Sequence, residues 1–179
     1  MYPTFLRPGY LEHFTINGDP IEVPKCIVTF NKWKGEPVKE TFGGKPIVSI
    51  DDKPMFAELA IVNHFIKEGW QSRWLETYGR SNMLPFHLSD WKDDKYVNQV
   101  HDPITDDKIL RMLDGIAKEN GNSYAGCWDV LAWKKDKVIF AESKRTKKDK
   151  ISTTQINWLS AGLNYGLHPG NFLIVQWDL

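Results

Sequence analysis

Apolar positions in this chain repeat with helical spacing in three segments and with strand spacing in five shorter runs. From about Pro54 to Glu68, Met55, Ile61, Val62 and Phe65 share one face of a helical wheel. Asp51 or Asp52 suits the cap of that helix, Pro54 its first turn and Gly69 its stop. A second helix is expected from about Asp106 to Asn120, with Thr105 as its cap and Ile109, Leu110, Leu113 and Ile116 as its buried stripe. A third opens at Ser152, buries Ile156, Leu159 and Leu163, and stops at Gly166. KCIVTF, KPIVSI, VLAW, KVIFA and NFLIVQW read as strands.

The order of these elements predicts an α/β protein with a mixed β-sheet flanked by helices. Residues 1–50 read as a β-rich N-terminal extension and residues 51–179 as the α/β domain. Gly79 to Pro103 is polar and rich in turn residues, and is expected to be a long loop over a cleft.

Two positions break the apolar pattern. Glu58 falls in the middle of the first helix's stripe, where a carboxylate needs a partner, a metal or access to a cleft. A nearby lysine would satisfy it as well. The second break lies in FAESKRTKKDKISTTQ, where a strand that should be central ends in Glu142 and Lys144.

Hairpin geometry brings a third charge to that place. With a turn centred between Lys135 and Asp136, residues whose numbers sum to 271 lie opposite each other, so Asp129 faces Glu142. Side chains alternate along a strand, which puts Glu142 and Lys144 on the same face as Asp129. Adjacent carboxylates repel and raise each other's pKa unless a cation lies between them. Oxygen donors without a histidine or cysteine cluster favour Mg²⁺ or Mn²⁺ over zinc. A lysine beside such a metal can polarise a water or stabilise charge on a phosphate, which suits phosphodiester hydrolysis. The plain alternative is that Asp129 caps a turn while Glu142 and Lys144 form an exposed pair.

Composition narrows the setting. The 179 residues carry 23 basic and 23 acidic side chains, so net charge gives no general attraction to a polyanion. Arg145, Lys147, Lys148 and Lys150 nevertheless crowd one loop just past Lys144. Cys26 and Cys127 are too few for a disulfide scaffold, and no segment approaches the ~20 apolar residues needed to cross a bilayer. A cytoplasmic protein without a membrane partner is expected. The scattered histidines suggest no catalytic role, although His101 beside Asp102 stands out among them.

Asp129 followed by Glu142, Ser143 and Lys144 after a short hairpin resembles the catalytic motif of the PD-(D/E)xK (restriction-endonuclease-like) nuclease superfamily. GCWDVLAW, FAESK and ISTTQINWL together are similar to its VRR-Nuc family, whose helix after the E-x-K carries a glutamine and often a tryptophan, here Gln155 and Trp158. Glu58 matches the acidic residue that the superfamily commonly carries on its first helix. Three positions depart from the pattern: Trp128 replaces the proline usual before the aspartate, Ser143 an apolar residue, and Arg145 a common glycine.

The resemblance implies a restriction-endonuclease-like fold and a metal-dependent DNA endonuclease, structure-selective at junctions or flaps in repair or recombination. It implies Asp129, Glu142 and the Ser143 backbone carbonyl as ligands of Mg²⁺ or Mn²⁺, and Lys144 as the group that orients the attacking water. Glu58 would contact a water or a second metal, and Gln155 would position the metal-bound water or the phosphate. Gln155 also completes a capping box with Ser152, and the two roles are compatible. Lys147, Lys148, Lys150 and Arg145 become candidate contacts to nucleic-acid phosphates. RNA stays open as a substrate, and double-strand cutting would favour a homodimer. The alternative reading is a nucleic-acid-binding module on the same scaffold that no longer cleaves.

Overall fold

In a computed structural model describing residues 2–179, the turn at Asn17 and Gly18 joins strands β1 (Tyr10–Ile16) and β2 (Asp19–Thr29) as an antiparallel hairpin. Three short strands follow, β3 (Asn31–Lys32), β4 (Val48–Ile50) and β5 (Lys53–Met55), and form a small sheet of their own. Helix α1 (Ala57–Lys67) then leads through β6 (Gln71–Glu76) and β7 (Phe86–Leu88) to α2 (Asp107–Glu119). The chain closes with β8 (Val130–Lys134), β9 (Lys137–Arg145), α3 (Thr153–Tyr165) and β10 (Phe172–Asp178).

The main sheet is seven-stranded, in the order β1-β2-β10-β9-β8-β6-β7. It is mixed: β10 runs parallel to both β2 and β9, and the other neighbours are antiparallel. Its central strands read as nearly unbroken apolar runs because both of their faces are buried. Val130, Ala132, Ile139 and Ala141 pack with α1 residues such as Leu59, Val62 and Phe65. Their alternates Leu131, Trp133 and Phe140 pack with Leu113, Trp158 and Leu159 on the other side. The molecule is thus a mixed α/β protein whose sheet lies between α1 on one face and α2 and α3 on the other.

Several elements differ from the sequence reading, each for a local reason. Asp51 and Asp52 do not cap α1. Both adopt left-handed backbone, φ 50° and 57°, and make the two-residue turn between β4 and β5, where Pro54 lies within a strand rather than in the helix. Such a turn matches strand twist, and Asp tolerates positive φ better than most residues. Helix α1 consequently starts later, after Phe56, which offers no capping side chain. The cap of α2 is Asp106, whose carboxylate accepts from the backbone N–H groups of Lys108 and Ile109, rather than Thr105. KPIVSI contributes strand only from Val48 onward. Residues 79–103 contain β7 and a short 3₁₀ turn, Tyr96–Asn98, and supply none of the residues around the cleft described below. Residues 10–29, read from sequence as part of an extension, are strands of the main sheet itself.

Candidate active site

The β8–β9 hairpin pairs Val130 with Ala141 and Lys134 with Lys137, a register in which residue numbers sum to 271. Lys135, in left-handed backbone at φ 55°, makes the tight turn. Asp129, one residue before β8, therefore reaches the same end of the sheet as Glu142. The two are latched through backbone N–H groups of Asp129 and Ser143. The Asp129 N–H donates to Glu142 Oε2 at 3.2 Å, and the Ser143 N–H donates to Asp129 Oδ2 at 2.9 Å. Lys144 Nζ lies 2.9 Å from Glu142 Oε1.

Both helices flanking this end of the sheet add a side chain from their first turn. Gln155, in α3, accepts from the Ser152 N–H through Oε1 and donates through Nε2 to Glu142 Oε1 at 2.5 Å. It caps the helix and contacts the catalytic candidate at the same time. Glu58, in the first turn of α1, is 8% exposed and pairs with Lys45 at 2.6 Å. Its partner is thus a lysine, but one that lies 13 residues before it in the chain, ahead of the helix.

Glu58, Asp129, Glu142, Ser143, Lys144, Arg145, Lys148 and Gln155 all line one cleft of about 590 Å³, together with Gly43, Gly44 and Lys45. The remaining two basic candidates, Lys147 and Lys150, are exposed and lie outside its lining. A larger cavity, about 980 Å³, borders β1, but Glu68 is the one carboxylate among its lining residues.

Electrostatics at the cleft are strained in a definite direction. Burial, then the neighbouring Asp129 charge, pushes the Glu142 carboxyl well above the usual carboxylate range, and Lys144 offsets this only in part. Burial and then Glu58 raise Asp129, against the pull of Lys45 and Lys144. Lys45 loses by desolvation but gains more from Glu58, Asp129 and Glu76, so its ammonium is held above its ordinary pKa.

An oxygen-only donor set with raised carboxyl pKa values fits a hard divalent cation, whose charge would reverse both shifts. Asp129 and Glu142 are the residues that could hold it. Among the described residues, no three His, Cys, Asp or Glu side chains are grouped so as to hold a metal ion. Glu58, the other buried acid of the cleft, is engaged by Lys45.

Lys45 is the residue that sequence reasoning missed. It comes from the segment before the α/β pattern begins, and its signal, in retrospect, is the glycine pair of TFGGKP. Gly43 and Gly44 adopt φ 81° and 84°, the left-handed turn that carries Lys45 over the sheet end.

Compared with known protein families, curated proteins and solved structures, the chain matches none. No helix among the described residues is long and apolar enough to cross a membrane.

Proposed function

We propose that the chain is a metal-dependent DNA endonuclease of the restriction-endonuclease-like class, and that this cleft hydrolyses phosphodiester bonds. The observation that carries the reading is the convergence of Asp129, Glu142 and Lys144 at one end of the β8–β9 hairpin, in a cleft that also takes Glu58 and Gln155. A Mg²⁺ or Mn²⁺ ion held by Asp129, Glu142 and the Ser143 carbonyl would supply Lewis acidity at the phosphate.

The chain's own groups do the rest. Lys144 orients the attacking water and compensates charge growing on the phosphoryl oxygens. Gln155 fixes the Glu142 carboxylate, so that carboxylate does not reorganise when substrate enters. Arg145 and Lys148, at the cleft, meet the nucleic-acid backbone, and Lys147 and Lys150 extend that contact outside it. Such contacts position a strand without reading its sequence, so specificity for flaps or junctions would come from DNA shape.

A second reading, a nucleic-acid-binding module that does not cleave, is favoured by one observation. Every Glu142 oxygen already has a donor: Oε1 accepts from Lys144 and Gln155, and Oε2 from the Asp129 N–H. Incubation with linear, flapped and branched DNA, and with RNA, in Mn²⁺ or in chelator separates the readings. The nuclease reading expects strand scission that needs the metal and falls at least a hundredfold in Glu142→Ala and in Lys144→Ala. Cleavage untouched by both substitutions would place it elsewhere, and binding without cleavage would establish the second reading. A homodimer would appear as coupled cutting of both strands.

A further inference from the structure

Four carboxylates and three lysines line the cleft, and the two lysines that pair with its buried acids, Lys45 with Glu58 and Lys144 with Glu142, are not equivalent. Lys144 neighbours Glu142 on the same strand, and its pairing follows from strand alternation. Lys45 arrives from a separate loop and is anchored at several points. Its backbone N–H donates to the Thr41 carbonyl at 2.9 Å, Gly43 and Gly44 turn the chain toward the cleft, and its ammonium lies 4.8 Å from the Trp74 ring and 5.6 Å from the Phe42 ring. These aromatic faces favour a cation at that point. The ammonium so placed ends 2.6 Å from Glu58 Oε1.

This deepens the metal-dependent reading above and rests on it. Glu58 is the acid that would complete a second cation site with Asp129. A divalent ion there would have to displace the ammonium, or stand beside it and meet a like charge within a few ångströms in a poorly screened cleft. We propose that Lys45 is a built-in cation that takes the second metal's place at Glu58, so that the cleft accepts one divalent ion, at Asp129 and Glu142. Glu58 then acts as a positioning residue for Lys45 and not as a ligand. Lys45, which is part-exposed within the cleft, faces the same phosphate as the single metal and supplies a fixed positive charge that chelators cannot remove.

Titration of the full chain with Mn²⁺, read by calorimetry and by electron paramagnetic resonance of the unbound ion, tests this without reference to activity. The native chain should bind one equivalent. Lys45→Met, which keeps an apolar stem over Trp74 and removes the charge, should bind two, and adding Glu58→Gln should return it to one. Lys45→Arg should stay at one. Glu58→Gln in the otherwise native chain should still bind one equivalent, a result independent of how well the Lys45 variants fold. Two equivalents in the native chain, or one in a Lys45→Met chain of native circular dichroism, would each overturn the proposal while leaving metal dependence intact. No Mn²⁺ binding by the native chain would instead defeat the metal-dependent reading, and this inference with it.

Discussion

Each departure from the resembled motif has a structural occupation. Ser143 accepts a hydrogen bond through its Oγ from the Trp177 indole N–H at 2.9 Å, which satisfies a buried donor that an apolar residue would leave unpaired. Trp128 donates from its indole to the Gln155 carbonyl at 3.1 Å and stands edge-on to Phe172 at 5.0 Å. It ties the start of β8 to the first turn of α3, so the tryptophan positions Gln155, and Gln155 in turn holds Glu142. Arg145 lies over the Trp177 ring at 5.7 Å. The acids themselves are the costly residues. Asp129 carries a raised pKa because burial and Glu58 oppose its ionised form, and Glu142 is raised in turn by burial and by Asp129. Asp129→Asn keeps an acceptor for the Ser143 N–H and removes one of the repelling charges. The variant should be more stable than the native chain by about 1 kcal/mol, a rise of about 2–4 °C in thermal midpoint for a domain of this size, while losing Mn²⁺ binding. A lower midpoint by scanning calorimetry would show that the site is not strained in the way the charges indicate.

Among the elements, α3 has the closest tolerance to the site. Its N-terminal turn rests directly on Gly126, which adopts φ 78° just ahead of β8. A Cβ at that residue would lie 2.0 Å from the Thr154 carbonyl oxygen and 2.7 Å from the Gln155 nitrogen, both backbone atoms. Neither the left-handed backbone nor the clash can be relieved by a side-chain rotation. Gly126→Ala should therefore push α3 away from the sheet at the end that carries Gln155. Expected outcomes are a loss of at least ~2 kcal/mol in urea unfolding and weaker Mn²⁺ binding even at low denaturant. The control is Gly121→Ala, also at positive φ, 70°, but with open space around its Cβ. It should lose only the backbone-strain part, about 1 kcal/mol, and leave metal affinity unchanged. Equal effects of the two substitutions on metal affinity would mean that the helix contact does not position Gln155.

For the whole molecule, what the sequence disclosed follows contact range. The β8–β9 hairpin, its register and the Asp129–Glu142–Lys144 convergence were legible because they depend on sixteen consecutive residues and a strict period of two, residues 129–144. Glu58 was legible as a charge out of place in its helix, and Gln155 as the residue that completes a capping box with Ser152 and matches the resembled motif. The parallel pairing of β2 with β10 was not, since no local period links residues so far apart, and neither was the arrival of Lys45 at Glu58, because the 13-residue step between them runs through a loop and two short strands that share no single period. The same holds for His87, which looked like one scattered histidine. It is fully buried in β7, its Nδ1 accepts from the Ile104 N–H, its ring stacks on His101 at 5.1 Å, and its Nε2 has no partner among the described residues. Burial first, then His101 and Arg73, hold its pKa down to about 4 from an ordinary 6.5, with Asp102 opposing and Arg80 adding to the shift. The unfolded chain therefore takes up this proton near pH 6.5, and the folded chain only near pH 4. Stability from His87 is present in full above pH 6.5, falls as pH drops through that window, and is gone below about 4. Between pH 7 and 5 the loss is about 2 kcal/mol. Asp129 and Glu142 act in the opposite sense, because their raised pKa values let the folded chain bind protons first. The two effects separate in His87→Asn, which keeps an acceptor for the Ile104 N–H and cannot titrate. Urea midpoints measured from pH 7 to 5 should fall less steeply in that variant than in the native chain, by the ~2 kcal/mol assigned to the imidazole. Parallel pH profiles would mean that His87 opens to solvent in the folded state and takes its proton there.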